Sequence, residues 1–408
     1  MSRSERFAAI AAALVLMIGM GFGRFAFTGL YPLMIVDNRI SVEGGSYAAS
    51  ANYAGYLIGA LLAGGLSGGM SSRNLCAFSV IATAVSLTLL GVPLPEWLIV
   101  TIRGFAGVFS AVAMVAASHW LIHDRGHHHG APALFAGVGA GILLSAEIIA
   151  AGHAAALSSG PIWLLLGASA LVLAAVTVVM QARADRLKPA APESARPADD
   201  GALVPFGATR LILVYGLAGF GYIITATYLP LLVRTALGAV DPVHVWAVFG
   251  LGAVPSCFLW HALHVRWGTG RSLMANLLLQ AIGVALPVTH APAAYIASAV
   301  LVGGTFMGTV TIAMPAARRV AAKVRFNMVA IMTASYGVGQ IAGPLVASFL
   351  YARMRSFDHS LLLAAAALAL GALLCVPAYP ARRLVRWTER KPVAGGATGS
   401  ERSLPNGE

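Results

Sequence analysis

Gly21-Phe22-Gly23-Arg24-Phe25-Ala26-Phe27, followed by Leu30-Tyr31-Pro32-Leu33-Met34, is the stretch on which the reading of this chain turns. Its outline returns 198 residues later. Gly219-Phe220-Gly221 repeats Gly21-Phe22-Gly23, and Pro230-Leu231 repeats Pro32-Leu33, with the same spacing from glycine to proline. A second pair, Gly137-Val138-Gly139 and Gly337-Val338-Gly339, stands at an offset of 200. A short glycine match means little in a chain with 45 glycines. Two matches at nearly one offset indicate an internal duplication.

The repeated stretches are apolar, and so is the rest of the chain. Of 408 residues, 58% are hydrophobic and 10% charged, with a mean hydropathy of +0.80. An ordinary soluble domain carries roughly 25% charged residues, so a water-soluble enzyme is excluded. A bilayer core about 30 Å thick needs about 20 apolar residues per helix. Twelve runs meet or approach that length: 7–36, 46–66, 75–94, 97–122, 132–157, 162–181, 211–233, 243–264, 272–288, 293–315, 326–351 and 360–378. The first is too long for a cleaved signal peptide and carries Arg24, so it reads as a retained helix.

Charge orients these runs. The net charge of +12 in a soluble protein would point to nucleic acid, but here the basic residues fall between the apolar runs. With both termini inside, 21 lysines and arginines lie on the cytoplasmic side and four on the other: Arg39, Arg234, Arg353 and Arg355. That asymmetry follows the positive-inside rule. It predicts a multi-pass protein of the cytoplasmic (inner) membrane with both termini cytoplasmic and no nucleic-acid partner. The Pro-, Ala- and charge-rich segment 183–205 has linker composition. It divides the chain into an N-terminal six-helix bundle (1–182) and a C-terminal one (206–380), followed by a disordered cytoplasmic tail (381–408). The expected fold is therefore an all-α membrane protein of twelve transmembrane helices in two pseudo-symmetric six-helix bundles. Transporters that rock two such halves about a site between them share this plan.

With the helices placed, the chain resembles the major facilitator superfamily, and within it the YbfB/YjiJ-type branch. The resemblance rests on the opening stretch, on Ala51-Asn52-Tyr53-Ala54-Gly55-Tyr56-Leu57-Ile58-Gly59 and on Gly337-Val338-Gly339-Gln340-Ile341-Ala342-Gly343-Pro344. It covers about residues 10–380 and implies a permease of the cytoplasmic membrane. Arg103-Gly104-Phe105-Ala106-Gly107 is similar to the superfamily's Arg-x-x-x-Gly pattern, which the resemblance links to proton coupling. The superfamily's loop 2–3 signature is eroded here, with Gly68 at its aspartate position.

Within the twelve runs only Arg24, Arg103 and Glu147 are permanently charged or carboxylic. A charge near the bilayer centre costs from roughly 3 to well over 10 kcal/mol, so each should face a cavity or a partner. At ~1.5 Å per residue the three fall in one band of depth. They are the candidates for a proton-coupling or charge network, with Glu147 expected within reach of an arginine. A static ion-pair cluster is the alternative. Asn52, Tyr56, Tyr222, Tyr228, Tyr336 and Gln340 are candidates to line a substrate cavity. Two arginines against one carboxylate leave a positive charge spare, which would suit an anionic solute. Runs 3, 6 and 12 carry no charge and should face lipid.

His119, His123 and His127–His129 read as a solvated loop, and the Gly65-Leu66-Ser67-Gly68 stretch lies at a helix end, where no protease pocket is expected. No metal, cofactor or nucleotide motif is found. The expected function is that of a secondary active transporter, not an enzyme. It would act as a monomer and move a small organic solute by alternating access driven by protons. A non-transporting sensor or assembly protein on the same fold is the other reading.

Overall fold

The computed structural model describes residues 3–66, 70–127, 130–187, 207–233, 241–321 and 324–376. The expected tail 381–408, most of the expected linker 183–205, and Ser67, Gly68, His128 and His129 lie outside them. Among the described residues the chain is helical, with no strand. The helices are α1 (Arg3–Val36), α2 (Val42–Leu66), α3 (Ser72–Leu90), α4 (Glu96–Asp124), α5 (Ala131–Ala154) and α6 (Ser159–Arg186). They continue with α7 (Ala208–Val233), α8 (243–267), α9 (269–285), α10 (Pro292–Ala321), α11 (Met328–Met354) and α12 (Asp358–Leu373). The arms α8 and α9 run on without a loop as Val243–Ala285, and Gly268 breaks them apart with φ of 75°, a left-handed backbone open to glycine. By length and composition nine described helices can cross a bilayer, the α8–α9 rod counting as one. Its two arms, together with α2 and the shorter α12, accommodate the twelve that the sequence expects.

Glycine sets how the helices meet. A Cβ on Gly21 or Gly141 would enter the other's backbone, so α1 and α5 cross at van der Waals contact of their main chains. The second half repeats the device: Gly219 lies on the backbone of Tyr336, and Gly339 on that of Gly216 and Phe220, which brings α7 onto α11. Gly107 meets the Asn52 carbonyl, and Gly55 that of Gly104, closing α4 on α2. The helix pairing α1–α5 thus recurs as α7–α11, although the aligned glycines differ in partner: Gly139 packs on α8 and Gly339 on α7.

Large apolar side chains point outward on the helices whose apolar runs carry no charge: Ile81 and Val85 on α3, Leu171 and Val172 on α6, Leu370 and Leu373 on α12. Such faces meet acyl chains rather than water. At the end that carries the N-terminus, Asp185 of α6 accepts from Arg73 at 3.0 Å and pairs with Arg125 at 3.5 Å. A carboxylate on α6 therefore ties down the basic residues around the eroded loop signature.

Candidate functional site

The middle of α1 is not an α-helix. Met17–Phe25 winds as a π-helix, a wider turn often found at functional sites. Arg103 of α4 is 1% exposed and donates to the carbonyls of Gly23 at 2.7 Å and Arg24 at 2.9 Å, the last turn of that segment. The Phe27 ring lies 4.5 Å from its guanidinium carbon. Asn52, fully buried, donates to the Arg103 carbonyl at 2.9 Å and so holds α2 to α4. Arg103 and Asn52 together fix the backbone from which Arg24 projects.

Arg24 points between the halves. It is 3% exposed, and its guanidinium lies over the rings of Tyr56 at 4.3 Å, Tyr53 at 4.7 Å and Phe25 at 5.5 Å. Ring faces attract a cation by about 0.5–2 kcal/mol each, the more so where water is excluded. One nitrogen, Nη2, donates to Oε1 of Gln340 on α11 at 2.8 Å, and Gln340 in turn donates to the Tyr222 hydroxyl. Nε and Nη1 of Arg24 are buried with no hydrogen-bond partner. Tyr222 stacks on Phe306 and on Tyr336, and Tyr336 on Tyr215, so a wall of rings from the second half faces the guanidinium. Tyr56 and Tyr336 lie about one turn nearer the N-terminal end than Tyr53 and Gln340, and both are only partly buried.

On the other side of Arg24, toward Val36, the halves are joined. Thr28 donates to the Ala226 carbonyl at 2.9 Å and Ser50 to that of Ile341 at 3.1 Å. Tyr53 meets Thr227 at 3.0 Å, and Tyr228 meets Ser46 at 2.7 Å while donating to the Pro344 carbonyl at 3.2 Å. Trp246 donates to the Phe25 carbonyl at 3.1 Å. Tyr228 therefore belongs to this seam rather than to the surroundings of Arg24.

Glu147 also lies in the seam. Its carboxylate is 3.4 Å from Nδ1 of His244 on α8, both side chains are about half-exposed, and His153 and Asp241 form a second such pair nearby. The expected pairing with Arg24 or Arg103 is not made in this conformation. Depth along a helix was the basis for that expectation, and depth does not say which way a side chain points. Gly139 packs on Gly250 and Val254 of α8. Eight further residues carry Glu147 round to roughly 80° from that contact at 3.6 residues per turn, on the α8 side of α5. Gly141, which faces α1, is about 120° away.

Of the residues singled out from sequence, the structure gathers Arg24, Tyr56, Tyr222, Tyr336 and Gln340 in one cluster, with Arg103 and Asn52 behind it. Tyr53, Phe25 and Phe306 complete the cluster. Tyr53 stands with Asn52 and Tyr56 in the stretch that the sequence offers as cavity lining, but no signal in the sequence marks the π-helix or His244's contact.

A family model described as "Uncharacterised MFS-type transporter YbfB" matches residues 16–376 of this chain. Among curated proteins, none matches its sequence. Among solved structures, a point mutant of the nucleoside transporter NupG is similar in fold: the TM-score is 0.66 at 14% identity, over 90% of this chain and 98% of that one. At that identity the likeness carries the fold alone.

Proposed function

Because the chain belongs to the YbfB-type family of major facilitator transporters, we propose that it is a secondary transporter that carries a small organic anion by alternating access. It would act as a monomer in the cytoplasmic membrane, with both termini on the cytoplasmic side. One observation carries this reading. Arg24 sits between the halves, joined contacts close the Val36 side of it, and partly buried Tyr56 and Tyr336 mark the approach from the N-terminal side. By the charge asymmetry the closed side is external, so the site in this state is approached from the cytoplasm.

Protons are the proposed driving ion. Glu147 is the one carboxylate in the described helices that lies beyond the first or last turn, and its partner His244 belongs to the other half. Separating the halves there would part this pair, and that coupling of a carboxylate to the movement supports the proton reading.

Spin-label distances in nanodiscs test the reading without a known solute. With the three buried cysteines replaced by alanine, one label pair at Ala155 and Ala291 reports the Val36 end, and another at Asn74 and Phe326 the N-terminal end. Two populations of opposite sense at the two ends are expected. A single fixed distance at both ends, whatever the pH, would overturn alternating access.

A further inference from the structure

Among the described residues, the cation at Arg24 has no counter-charge. Its one hydrogen-bond acceptor is the neutral amide oxygen of Gln340, two of its nitrogens are buried and unpaired, and Glu147 is engaged elsewhere with His244. Arg103 is engaged by the backbone instead: its two terminal nitrogens donate to the carbonyls of Gly23 and Arg24, and only its Nε is buried without a partner. The site therefore presents one guanidinium fork to a ligand, with a second cation held behind it on backbone carbonyls. An intramembrane guanidinium left in this state is costly and marks a functional position. The planar guanidinium fork matches a carboxylate better than it matches a point-like ion.

Around Arg24 stand aromatic rings, four of them tyrosines: Tyr53 and Tyr56 from α2, and Tyr222, Phe306 and Tyr336 from the second half. These rings would cover an apolar body and leave a second charge unsolvated. Gln340 occupies the guanidinium from the opposite half, so a carboxylate arriving at Arg24 competes with the one hydrogen bond that Arg24 makes across the interface.

We propose that Arg24 is the anchor for an organic monocarboxylate with an apolar or aromatic body, and that Gln340 is the internal acceptor which this carboxylate displaces. The proposal rests on the reading of the cleft between the halves as the transport site. Gln340 then does two things. It holds Arg24 in place when the site is empty, and its release frees α11 from α1 when the solute binds. Neutral and cationic analogues of the same shape lack the charge to displace it.

Sodium benzoate, benzamide and benzylamine serve as probes, with sodium chloride as an inorganic control, in thermal-shift and calorimetric titrations of the full-length protein in detergent. Bound ligand raises apparent stability. Benzoate is expected to raise the melting temperature saturably, and the other three are not. Arg24→Lys keeps the charge but loses the fork and should weaken benzoate at least about tenfold, a loss of about 1.4 kcal/mol. Gln340→Leu removes the competitor and should tighten benzoate. Gln340→Glu places a carboxylate on Arg24 and should abolish benzoate binding while raising the melting temperature of the empty protein. The proposal is overturned if benzoate does not bind, if benzamide or chloride acts as benzoate does, or if Gln340→Glu binds benzoate as the parent does. None of these titrations depends on transport, and the label distances above decide alternating access separately. The carboxylate site and the transporter reading can therefore fail independently.

Discussion

Arg103 donates a 2.7 Å hydrogen bond to the carbonyl of Gly23, so that one buried arginine holds the backbone from which a second one projects. The wide turn of a π-helix leaves carbonyls poorly served by its own chain, and Arg103 serves two of them. Arg103→Met keeps the volume and removes both donors. Leaving buried carbonyls unsatisfied costs about 1–3 kcal/mol each, so a marked fall in melting temperature is expected, with benzoate binding lost as Arg24 shifts. Arg103→Lys, which restores at least one donor, should recover part of both readouts. Equal stability of the Met variant and the parent would show that the π-helix needs no such support.

Two glycines on one helix give a paired test of close packing. A Cβ on Gly107 would enter the Asn52 backbone, whereas on Gly104 the first atom met is the Ala51 carbonyl oxygen at an ordinary 3.7 Å. Gly107→Ala should therefore push α2 from α4 and lower the melting temperature clearly. Gly104→Ala should be neutral or slightly stabilising, since alanine favours helix by about 1 kcal/mol over glycine. The reverse order, measured by thermal unfolding in one detergent, would contradict the packing described.

What the sequence made legible follows from what each signal measures. Hydropathy reports burial in lipid, and it sufficed for an all-helical multi-pass membrane protein, as the family match and the apolar helices bear out. The glycine repeat reported main-chain contact, and Gly21 on Gly141 and Gly219 on Tyr336 answer to it. Rarity of intramembrane charge singled out Arg24 and Arg103, but their partners differ: one guanidinium reaches the Gln340 side chain of the other half and the other is bound to backbone carbonyls of its own half. That split depends on a π-helical turn that has no composition of its own. Glu147 was placed beside the arginines by depth, while the angle of its side chain about α5 carries it to His244. A loop signature without its aspartate reads as a missing latch, yet Asp185 reaches the same arginine from α6, more than a hundred residues away.

Topology follows from the charge asymmetry. Reporters fused after Arg196 and after Lys391 should both read cytoplasm, and one fused after Ala155 should read the external side. An external signal at either of the first two sites would remove the twelve-helix count on which the closed side is assigned.

The two histidine–carboxylate pairs should make the closed seam sensitive to acid. His153 with Asp241 and His244 with Glu147 each join α5 to the second half. Of the other charged groups at this end, Asp37 accepts from the Ser159 amide, Glu96 from the Ser41 amide, Arg39 donates to the Val92 carbonyl, and His290 pairs with Asp358 at 3.1 Å within the second half. Protonating an imidazole turns its pair into a full ion pair. Lower external pH should therefore favour the short Ala155–Ala291 distance, and higher pH the long one. In the double variant His153→Gln, His244→Gln that response should be lost. An unchanged pH response in the double variant would assign the effect to other groups.

Glu147 carries the last prediction. Its carboxylate meets His244 with the Val36 side closed, and separation of the halves there would take that partner away. Glu147→Gln keeps the size and a hydrogen bond to His244 but cannot ionise. In proteoliposomes with an imposed pH gradient, solute accumulation should fall far more than solute–solute exchange, because exchange cycles the site without a net change in protonation. His244→Gln should act in the same direction but less severely, since it removes the partner and leaves the titrating group. Glu147→Ala should resemble Glu147→Gln in coupling and differ little in stability, as a half-exposed pair contributes at most about 1 kcal/mol. Had Glu147 been the counter-charge of a buried arginine, its removal would instead cost about 3–5 kcal/mol, so the melting temperature of Glu147→Ala separates the two placements. Concentration of solute against a gradient by Glu147→Gln, at the parent's level, would take the proton role away from this residue.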